Sequence, residues 1–175
     1  MTDKSKAETV LVVPSYAQGY VDLVRGDKLP DALKKTTKAF RKLLKQMPAK
    51  KIDYAYAPGK WTIRQLLQHI IDAERVFAFR ALWFARKDGQ PLPGFDENSW
   101  ARTANPSVRD WEDMVQEYKL VRKATELLFK SFGPEELKAI GTSNNAETSV
   151  AAWGYICAGH VAHHINIIRQ RYLAG

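Results

Sequence analysis

Apolar residues recur at helical spacing in four long stretches of the chain, and two of these stretches lie in its first half. The first stretch covers residues 30–47 and ends before Pro48, which cannot continue a helix. The second begins after Thr62, an N-cap residue that Gln65 completes as a capping box, and it continues to about Lys87. Both patterns predict amphipathic helices with one buried face.

Two further long helices are predicted in the second half of the chain. Pro106 opens the third helix, which ends near Phe132. Thr148 or Ser149 caps the fourth helix. The pattern gives the fourth helix one inward-facing stripe, made of Val150, Trp153, Cys157, His160, Val161, His164, Ile165 and Ile168.

The segments between the long helices carry turn and loop signals. Residues 89–105 are rich in glycine and proline and are predicted to form a long irregular loop that covers a site or a partner. Residues 135–140 are predicted to form a short helical turn, and residues 141–147 a polar loop. No strand pair is predicted, although residues 10–13 suit a short extended arm. We expect residues 1–14 to be a flexible or extended arm.

Four amphipathic helices bury their apolar stripes most simply by packing together, so the sequence predicts an all-α four-helix bundle. A length of 175 residues suits one domain with a sizeable core, and we expect residues 1–175 to form it. The long connection after the second helix allows an up-down-down-up order of helices as well as an up-down-up-down order.

Composition narrows the classes of function. The net charge is +8, but much of it lies on the first helix, interleaved with apolar residues. We interpret it as a solvated basic face, with phosphate binding as the alternative, and we expect no nucleic-acid partner because no recognition motif accompanies it. No apolar run approaches the ~20 residues of a membrane span. The single cysteine, Cys157, excludes an internal disulfide, and we expect a cytoplasmic protein with no membrane contact.

The four histidines carry the clearest chemical signal. His160 and His164 are four residues apart, so on a helix they point the same way and form a bidentate pair for a divalent ion. His69, on the second helix, is the remaining histidine that can supply a third ligand from another element. Neutral imidazole suits Zn²⁺ and Ni²⁺, our first candidates, and also Fe²⁺. The sequence therefore predicts a metal site in the bundle that is open to substrate.

Three motifs together resemble the DinB-like superfamily of metal-binding helical proteins, and the resemblance covers nearly the whole chain from about Tyr16 onward. The motifs are Ala57-Pro58-Gly59-Lys60-Trp61-Thr62-Ile63-Arg64 leading to His69-Ile70-Ile71-Asp72-Ala73-Glu74-Arg75, then Leu92-Pro93-Gly94-Phe95-Asp96, and finally Ala158-Gly159-His160-Val161-Ala162-His163-His164. The resemblance implies a bundle that is commonly up-down-down-up and often a homodimer. It also implies one divalent transition metal ion held by His69, His160 and His164.

The resemblance specifies the activity less narrowly than it specifies the fold. Some branches of the superfamily are transferases that use low-molecular-weight thiols such as bacillithiol, and others are named metal-dependent hydrolases. The resemblance therefore implies a metal-dependent thiol S-transferase or hydrolase that acts on a small molecule, with a low-molecular-weight thiol as cofactor in the first case. The alternative is a non-catalytic stress-response binding module with a structural metal ion.

Two residues of the second helix are candidates for supporting roles. Asp72, three residues after His69, is a candidate to hold the second ring nitrogen of that histidine. Arg80 returns to the helix face of His69 and is a candidate anchor for a substrate carboxylate. A salt bridge from Arg80 to Glu117 or Glu126 on the third helix is the alternative.

Two residues of the fourth helix lie close to the predicted ligands. His163 is on a flank of the helix, where it contacts the dimer surface, the surroundings of the ligands or solvent. Cys157 shares the stripe of His160, and we interpret it as a small apolar filler, with a thiol near the metal as the alternative.

Overall fold

The computed structural model describes residues 11–174, and their regular structure is helical apart from one hairpin. Short 3-10 turns precede α1 and α6, and a π-helical turn at Ile168–Tyr172 extends α8. The elements, in chain order, are α1 (Gln18–Asp22), α2 (Leu29–Lys45), α3 (Ala49–Ile52), α4 (Ile63–Ala85), α5 (Glu97–Thr103), α6 (Trp111–Ser131), α7 (Pro134–Lys138), β1 (Ile140–Ser143), β2 (Ala146–Ser149) and α8 (Val150–Ile167).

The four long helices predicted from the apolar pattern are α2, α4, α6 and α8, and they form a four-helix bundle. α8 packs against α2 and α4, and α6 packs against the same two helices. The predicted capping box is present at the start of α4: Thr62 Oγ1 accepts from the N–H of Gln65 at 3.2 Å, and Gln65 Oε1 accepts from the N–H of Thr62 at 2.8 Å. Ser149 Oγ caps α8 by accepting from the N–H of Ala152 at 3.3 Å.

The buried apolar side chains form two clusters, one toward each end of the bundle. The first cluster takes residues from the starts of α2 and α8 and from the ends of α4 and α6, including Leu33, Phe84 and Phe129. The second takes residues from the ends of α2 and α8 and from the starts of α4 and α6, including Phe40 and Ile63. This distribution favours the up-down-down-up order over simple alternation.

The predicted start of the third long helix at Pro106 is wrong. Pro106–Val108 form a separate 3-10 turn, because Asn105 before the turn adopts a left-handed conformation with φ of 41° and Arg109 after it is extended. α6 begins later, where Asp110 accepts a hydrogen bond from the N–H of Asp113 at 3.0 Å.

The long loop predicted at residues 89–105 contains the helix α5, so the prediction of no regular structure there is wrong for its second half. All the glycine and proline residues of the segment lie before Asp96. Asp96 then caps α5 by accepting hydrogen bonds from the N–H groups of Asn98 and Ser99, at 2.9 and 3.0 Å.

Residues 140–149 form a β-hairpin, where the sequence predicted a polar loop without a strand pair. β1 and β2 are antiparallel, with Ile140 opposite Ser149. The connecting residues Asn144 and Asn145 both have positive φ, at 49° and 58°, as a tight two-residue turn requires. The prediction of no strands is therefore wrong, whereas the short helical turn predicted just before the hairpin is present as α7.

The arm predicted at residues 1–14 lies only partly within the described residues, because residues 1–10 are outside them. Leu11, Val12 and Val13 lie in no helix or strand. The N–H of Val12 donates to Ser149 Oγ at 3.2 Å, and the carbonyl of Val12 accepts from the N–H of Ser149 at 3.0 Å. These two hydrogen bonds attach the segment to the capping residue of α8.

The helix α8 is buried on most sides, and its predicted apolar stripe is buried along its whole length. The short helix α1 packs against it, and Gly159 lies at this contact. A Cβ atom at this position would overlap the backbone carbonyl of Tyr20. Glycine therefore allows Tyr20 to lie directly against the part of α8 that carries His160.

We predict that Gly159→Ala lowers the free energy of unfolding by about 1–3 kcal/mol, because the added methyl group must displace the backbone of Tyr20. Gly154→Ala is the matched control on the same helix. Its Cβ meets only side-chain atoms, the nearest being Leu29 Cδ1 at 2.7 Å, so a smaller loss is expected. Urea unfolding of both variants measures the difference, and equal stabilities would contradict the prediction.

Candidate metal centre

The helices α4 and α8 bring the three histidines that were predicted as metal ligands to one place in the bundle. Nε2 of His160 is 3.0 Å from Nε2 of His69 and 3.0 Å from Nε2 of His164. One nitrogen from each of the three rings lies within 4.8 Å of the other two. The fold therefore gathers imidazoles from positions that are 91 residues apart in sequence.

The protons of these three rings cannot satisfy both short contacts. A neutral imidazole has one N–H donor and one lone pair, on different nitrogens. Nε2 of His160 therefore makes one good hydrogen bond at most, although two nitrogens lie at hydrogen-bond distance from it. A cation that accepts one lone pair from each ring would remove the conflict.

Burial keeps the three imidazoles neutral. It lowers the pKa of His69 to about 4, and the charge of His163 adds to this effect. The pKa values of His160 and His164 also lie well below the usual range. Burial is the larger cause, and the charges of neighbouring histidines add to it. A neutral ring keeps one nitrogen lone pair, which is the form that binds a metal ion.

Aromatic side chains surround the imidazoles and restrict their orientation. The ring centroid of Trp61 lies 4.8 Å from that of His69, and those of Tyr20 and Phe77 lie 5.3 and 5.5 Å from that of His160. Tyr20 and Phe77 both approach His160 edge-on. Tyr20 was not predicted, because the apolar pattern gave no sign that a short helix would lie against α8.

A cavity of about 300 Å³ lies beside the histidines. Its walls include Lys60 and Trp61 before α4, Asn98 from α5, and His163 and His164 from α8. Concave sites of this kind, with a few polar groups among apolar ones, are typical of small-molecule binding. Asn98 was missed because α5 was not predicted, and the signal that could have found it is the capping residue Asp96.

His163 lies on the flank of α8, half-buried, and it lines this cavity. The ring centroid of Tyr20 lies 5.3 Å from that of His163. Cys157 is buried beneath His160, and burial raises the pKa of its thiol well above the usual value. A neutral, buried thiol fits the interpretation of Cys157 as a filler of the core.

Asp72 lies in the wall of a second cavity, of about 430 Å³, and does not bond to His69. Its carboxylate accepts a hydrogen bond from Nε2 of Gln68 at 3.0 Å. Burial raises the pKa of Asp72, while the hydrogen bond from Gln68 opposes the effect. Asp72 therefore does not hold the second ring nitrogen of His69, which was the role suggested by the sequence.

Arg80 lies in the wall of the same cavity. The alternative prediction, a salt bridge from Arg80 to Glu117 or Glu126 of α6, is wrong. Glu117 instead contacts Arg75 at 2.7 Å and Arg109 at 2.5 Å. Glu126 accepts a hydrogen bond from a threonine of α2. Arg80 therefore forms no ion pair within residues 11–174.

A larger cavity, of about 1000 Å³, lies between α2 and α6, away from the histidines. Its rim carries the basic face of α2, and the charged residues there are exposed while the apolar stripe beneath them is buried. The predicted amphipathic helix is therefore confirmed. Exposed lysines surrounded by water are typical of a solvated face, so this groove is not the candidate site.

Comparison with known proteins assigns the chain to a family. The model of the DinB superfamily matches residues 32–168, a range that includes all three clustered histidines. The chain belongs to the DinB superfamily. A protein from Bacillus mycoides named "Putative metal-dependent hydrolase" is 26% identical to this DinB superfamily chain over 132 residues, which cover 73% of this chain and 76% of the relative. A protein of the same name from Bacillus cereus is 26% identical over 134 residues, which cover 74% and 77%.

The DinB superfamily fold of the chain also matches a solved structure, that of YfiT from Bacillus subtilis. The TM-score is 0.64 at 16% identity, and the match covers 90% of this chain and 87% of YfiT. YfiT is described as "a probable metal-dependent hydrolase with an unusual four-helix bundle topology". The predicted family and the predicted four-helix bundle are confirmed. Among residues 11–174, no helix combines the length and the hydrophobicity that a membrane span requires.

A buried ion pair connects three helices of this DinB superfamily bundle close to the histidines. Arg122 of α6 contacts Glu74 of α4 at 2.7 Å and donates from Nη2 to the carbonyl of Cys157 on α8 at 3.1 Å. Burial lowers the pKa of Arg122, but the charge of Glu74 and the other acidic groups nearby together outweigh this, so the pKa of Arg122 lies above its usual range. Burial also raises the pKa of Glu74, and the charge of Arg122 opposes that effect. The direct contact of the two groups favours the ionised pair, which connects the two histidine-bearing helices to α6.

We predict that Glu74→Gln lowers the free energy of unfolding by about 3–5 kcal/mol, because it leaves the charge of Arg122 buried and uncompensated. Glu135→Gln is the matched control, since it removes the same charge from an exposed pair with Lys138 and should change stability little. Urea unfolding curves of the two variants test this. A Glu74→Gln protein as stable as the control would show that the pair does not hold the helices.

Proposed function

We propose that the chain is a metal-dependent hydrolase of small molecules, and that it holds one divalent transition metal ion through Nε2 of His69, His160 and His164. The observation that carries this proposal is the close approach of the three nitrogens, with two Nε2 separations of 3.0 Å. Neutral rings that direct lone pairs at one another inside an apolar bundle are unfavourable unless a cation shares those lone pairs.

The three donors fit such an ion. Imidazole nitrogens lie ~2.0–2.1 Å from zinc, which in a tetrahedral shell puts neighbouring ligand nitrogens roughly 3.3 Å apart. The separations of 3.0 Å are shorter than this spacing by a few tenths of an ångström, so a small outward shift of the rings would admit the ion. Three neutral imidazoles suit zinc and nickel, and also iron. With three protein ligands, positions remain open for water or substrate, as in catalytic rather than closed structural sites.

A divalent ion held in this way supplies Lewis-acid chemistry, because it activates water or a thiol as a nucleophile at neutral pH. The residues of the chain supply position and surroundings. Tyr20, Trp61 and Phe77 restrict the rings and exclude water from one side. Lys60 and Asn98 line the open side, where their N–H groups can donate to a carbonyl or anionic oxygen of a substrate.

Hydrolysis is the reaction that the relatives support best, because those reported above are named metal-dependent hydrolases. Thiol S-transfer is a second reaction for the same centre. The position of Lys60 at the cavity favours it, because a low-molecular-weight thiol that carries carboxylates would meet this cation there. A non-catalytic module with a structural metal ion is the remaining alternative. The homodimer and the cytoplasmic location stay predictions.

Single replacements of the histidines test the ligand assignment. We predict that His69→Ala, His160→Ala and His164→Ala each reduce bound metal from about one ion per chain to a small fraction, because two imidazoles bind a divalent ion much more weakly than three. His163→Ala is the matched control and should keep the ion. Elemental analysis of the purified variants gives the stoichiometry. If His163→Ala lost as much metal as His164→Ala, the assignment of ligands would be wrong.

Chelation tests whether the metal is catalytic. We predict that removing the ion abolishes hydrolysis of a panel of chromogenic esters and amides, while the helical circular dichroism persists, because two apolar clusters hold the bundle. Adding back Zn²⁺ or Ni²⁺ should restore the rate. A collapse of the melting temperature on chelation would identify a structural ion. Conjugation of a thiol to an electrophile, without hydrolysis of any panel member, would instead assign thiol transfer.

A further inference from the structure

Arg80 is a buried cation that has no acidic partner within the described residues. The residue is 4% exposed, and its Nη2 donates to the carbonyl of Pro93 at 2.7 Å. None of the ion pairs found in residues 11–174 includes it. Arg122, the other arginine buried to this degree in that range, is paired with Glu74. A buried charge is costly unless it is paired, so the unpaired charge of Arg80 requires an explanation.

The surroundings of Arg80 offer a place for the missing partner. The guanidinium lines the cavity of about 430 Å³, whose walls are mostly apolar. The rings of Trp153 and Phe95 lie 5.1 and 5.8 Å from the guanidinium carbon, and they stabilise the charge in part. Phe79 and Trp100 line the same cavity but are 49% and 41% exposed. An apolar molecule in the cavity would cover these two side chains.

We propose that this cavity binds a small organic carboxylate, with its carboxylate on the free N–H groups of Arg80 and its apolar body against Phe79 and Trp100. The planar fork of a guanidinium matches the two oxygens of a carboxylate. The bond to the carbonyl of Pro93 holds that fork in one orientation. The apolar walls favour an organic acid over inorganic phosphate, since phosphate has no surface to place against them.

The position of the cavity connects this ligand with the proposed reaction. Asp72, which also lines the cavity, lies ~12 Å along α4 from Arg80 and one turn after His69. Arg75 lines that end as well and is paired with Glu117. α5 contributes Asn98 to the cavity beside the histidines and Trp100 to the cavity of Arg80. A carboxylate held by Arg80 therefore extends its other end toward the histidines, a step that rests on the proposed function.

Binding to metal-free protein tests the proposal independently of that function. The probes are 3-phenylpropionate and its uncharged analogue 3-phenylpropionamide, followed by tryptophan fluorescence, since Trp100 and Trp153 flank the cavity. The acid should bind roughly tenfold to a hundredfold more tightly than the amide, because its hydrogen bonds to Arg80 are between charged groups. Inorganic phosphate should not displace it. Equal affinities for acid and amide would overturn the proposal.

Two arginine variants test whether Arg80 causes the tighter binding of the acid. Arg80→Gln should remove the advantage of the acid over the amide, whereas Arg86→Gln should keep it, because Arg86 is exposed and already paired with Glu136. If Arg80→Gln does not fold, Phe79→Ala replaces it and should weaken the binding of both probes. Unchanged binding in Arg80→Gln, or in Phe79→Ala, would show that the probe lies elsewhere. Either failure would leave the metal-binding results for the histidine variants intact, so the two proposals can fail separately.

Discussion

The contact between α4 and α8 is the interaction on which the rest of the structure depends. It brings His69 within 3.0 Å of His160, and it is also one of the main contacts of the bundle. On α8 the first apolar cluster ends at Ala158 and the second begins at Val161, so His160 lies between them. The bundle can therefore accept a layer of imidazoles, because the apolar packing on either side is sufficient to hold the helices.

Two ways of burying polar groups occur within this one bundle. Glu74 and Arg122 compensate each other's charge. The three imidazoles and Arg80 are different, because the protons of the rings cannot satisfy both short contacts of His160, and the described residues place no opposite charge on Arg80. A buried charge is costly unless an opposite charge accompanies it. By this criterion Glu74 and Arg122 are explained by each other, whereas Arg80 is the residue for which a ligand is proposed.

The features that could be predicted from the sequence depend on signals a few residues apart. The capping box at Thr62, the apolar stripe of α8 and the spacing of His160 and His164 are of this kind. The convergence of His69 on that pair is a tertiary contact, and it followed only from the resemblance and from the lack of another histidine. α5 was missed because its helical signal is short and follows a run of glycine and proline. The hairpin was missed because its strands are polar and its turn depends on two left-handed asparagines.

The short elements that the sequence did not reveal shape the two cavities on which the proposals rest. The hairpin holds the segment before α5, since the N–H of Leu92 donates to the carbonyl of Thr142 at 3.0 Å and the N–H of Asn144 donates to the carbonyl of Leu92 at 3.1 Å. That segment places the carbonyl of Pro93 on Arg80, and α5 then lines both cavities. In the proposed function, the long helices position the imidazoles for the chemistry. The choice of ligand would then depend on the loop, α5 and the hairpin, which is the usual division between a rigid scaffold and the surface segments attached to it.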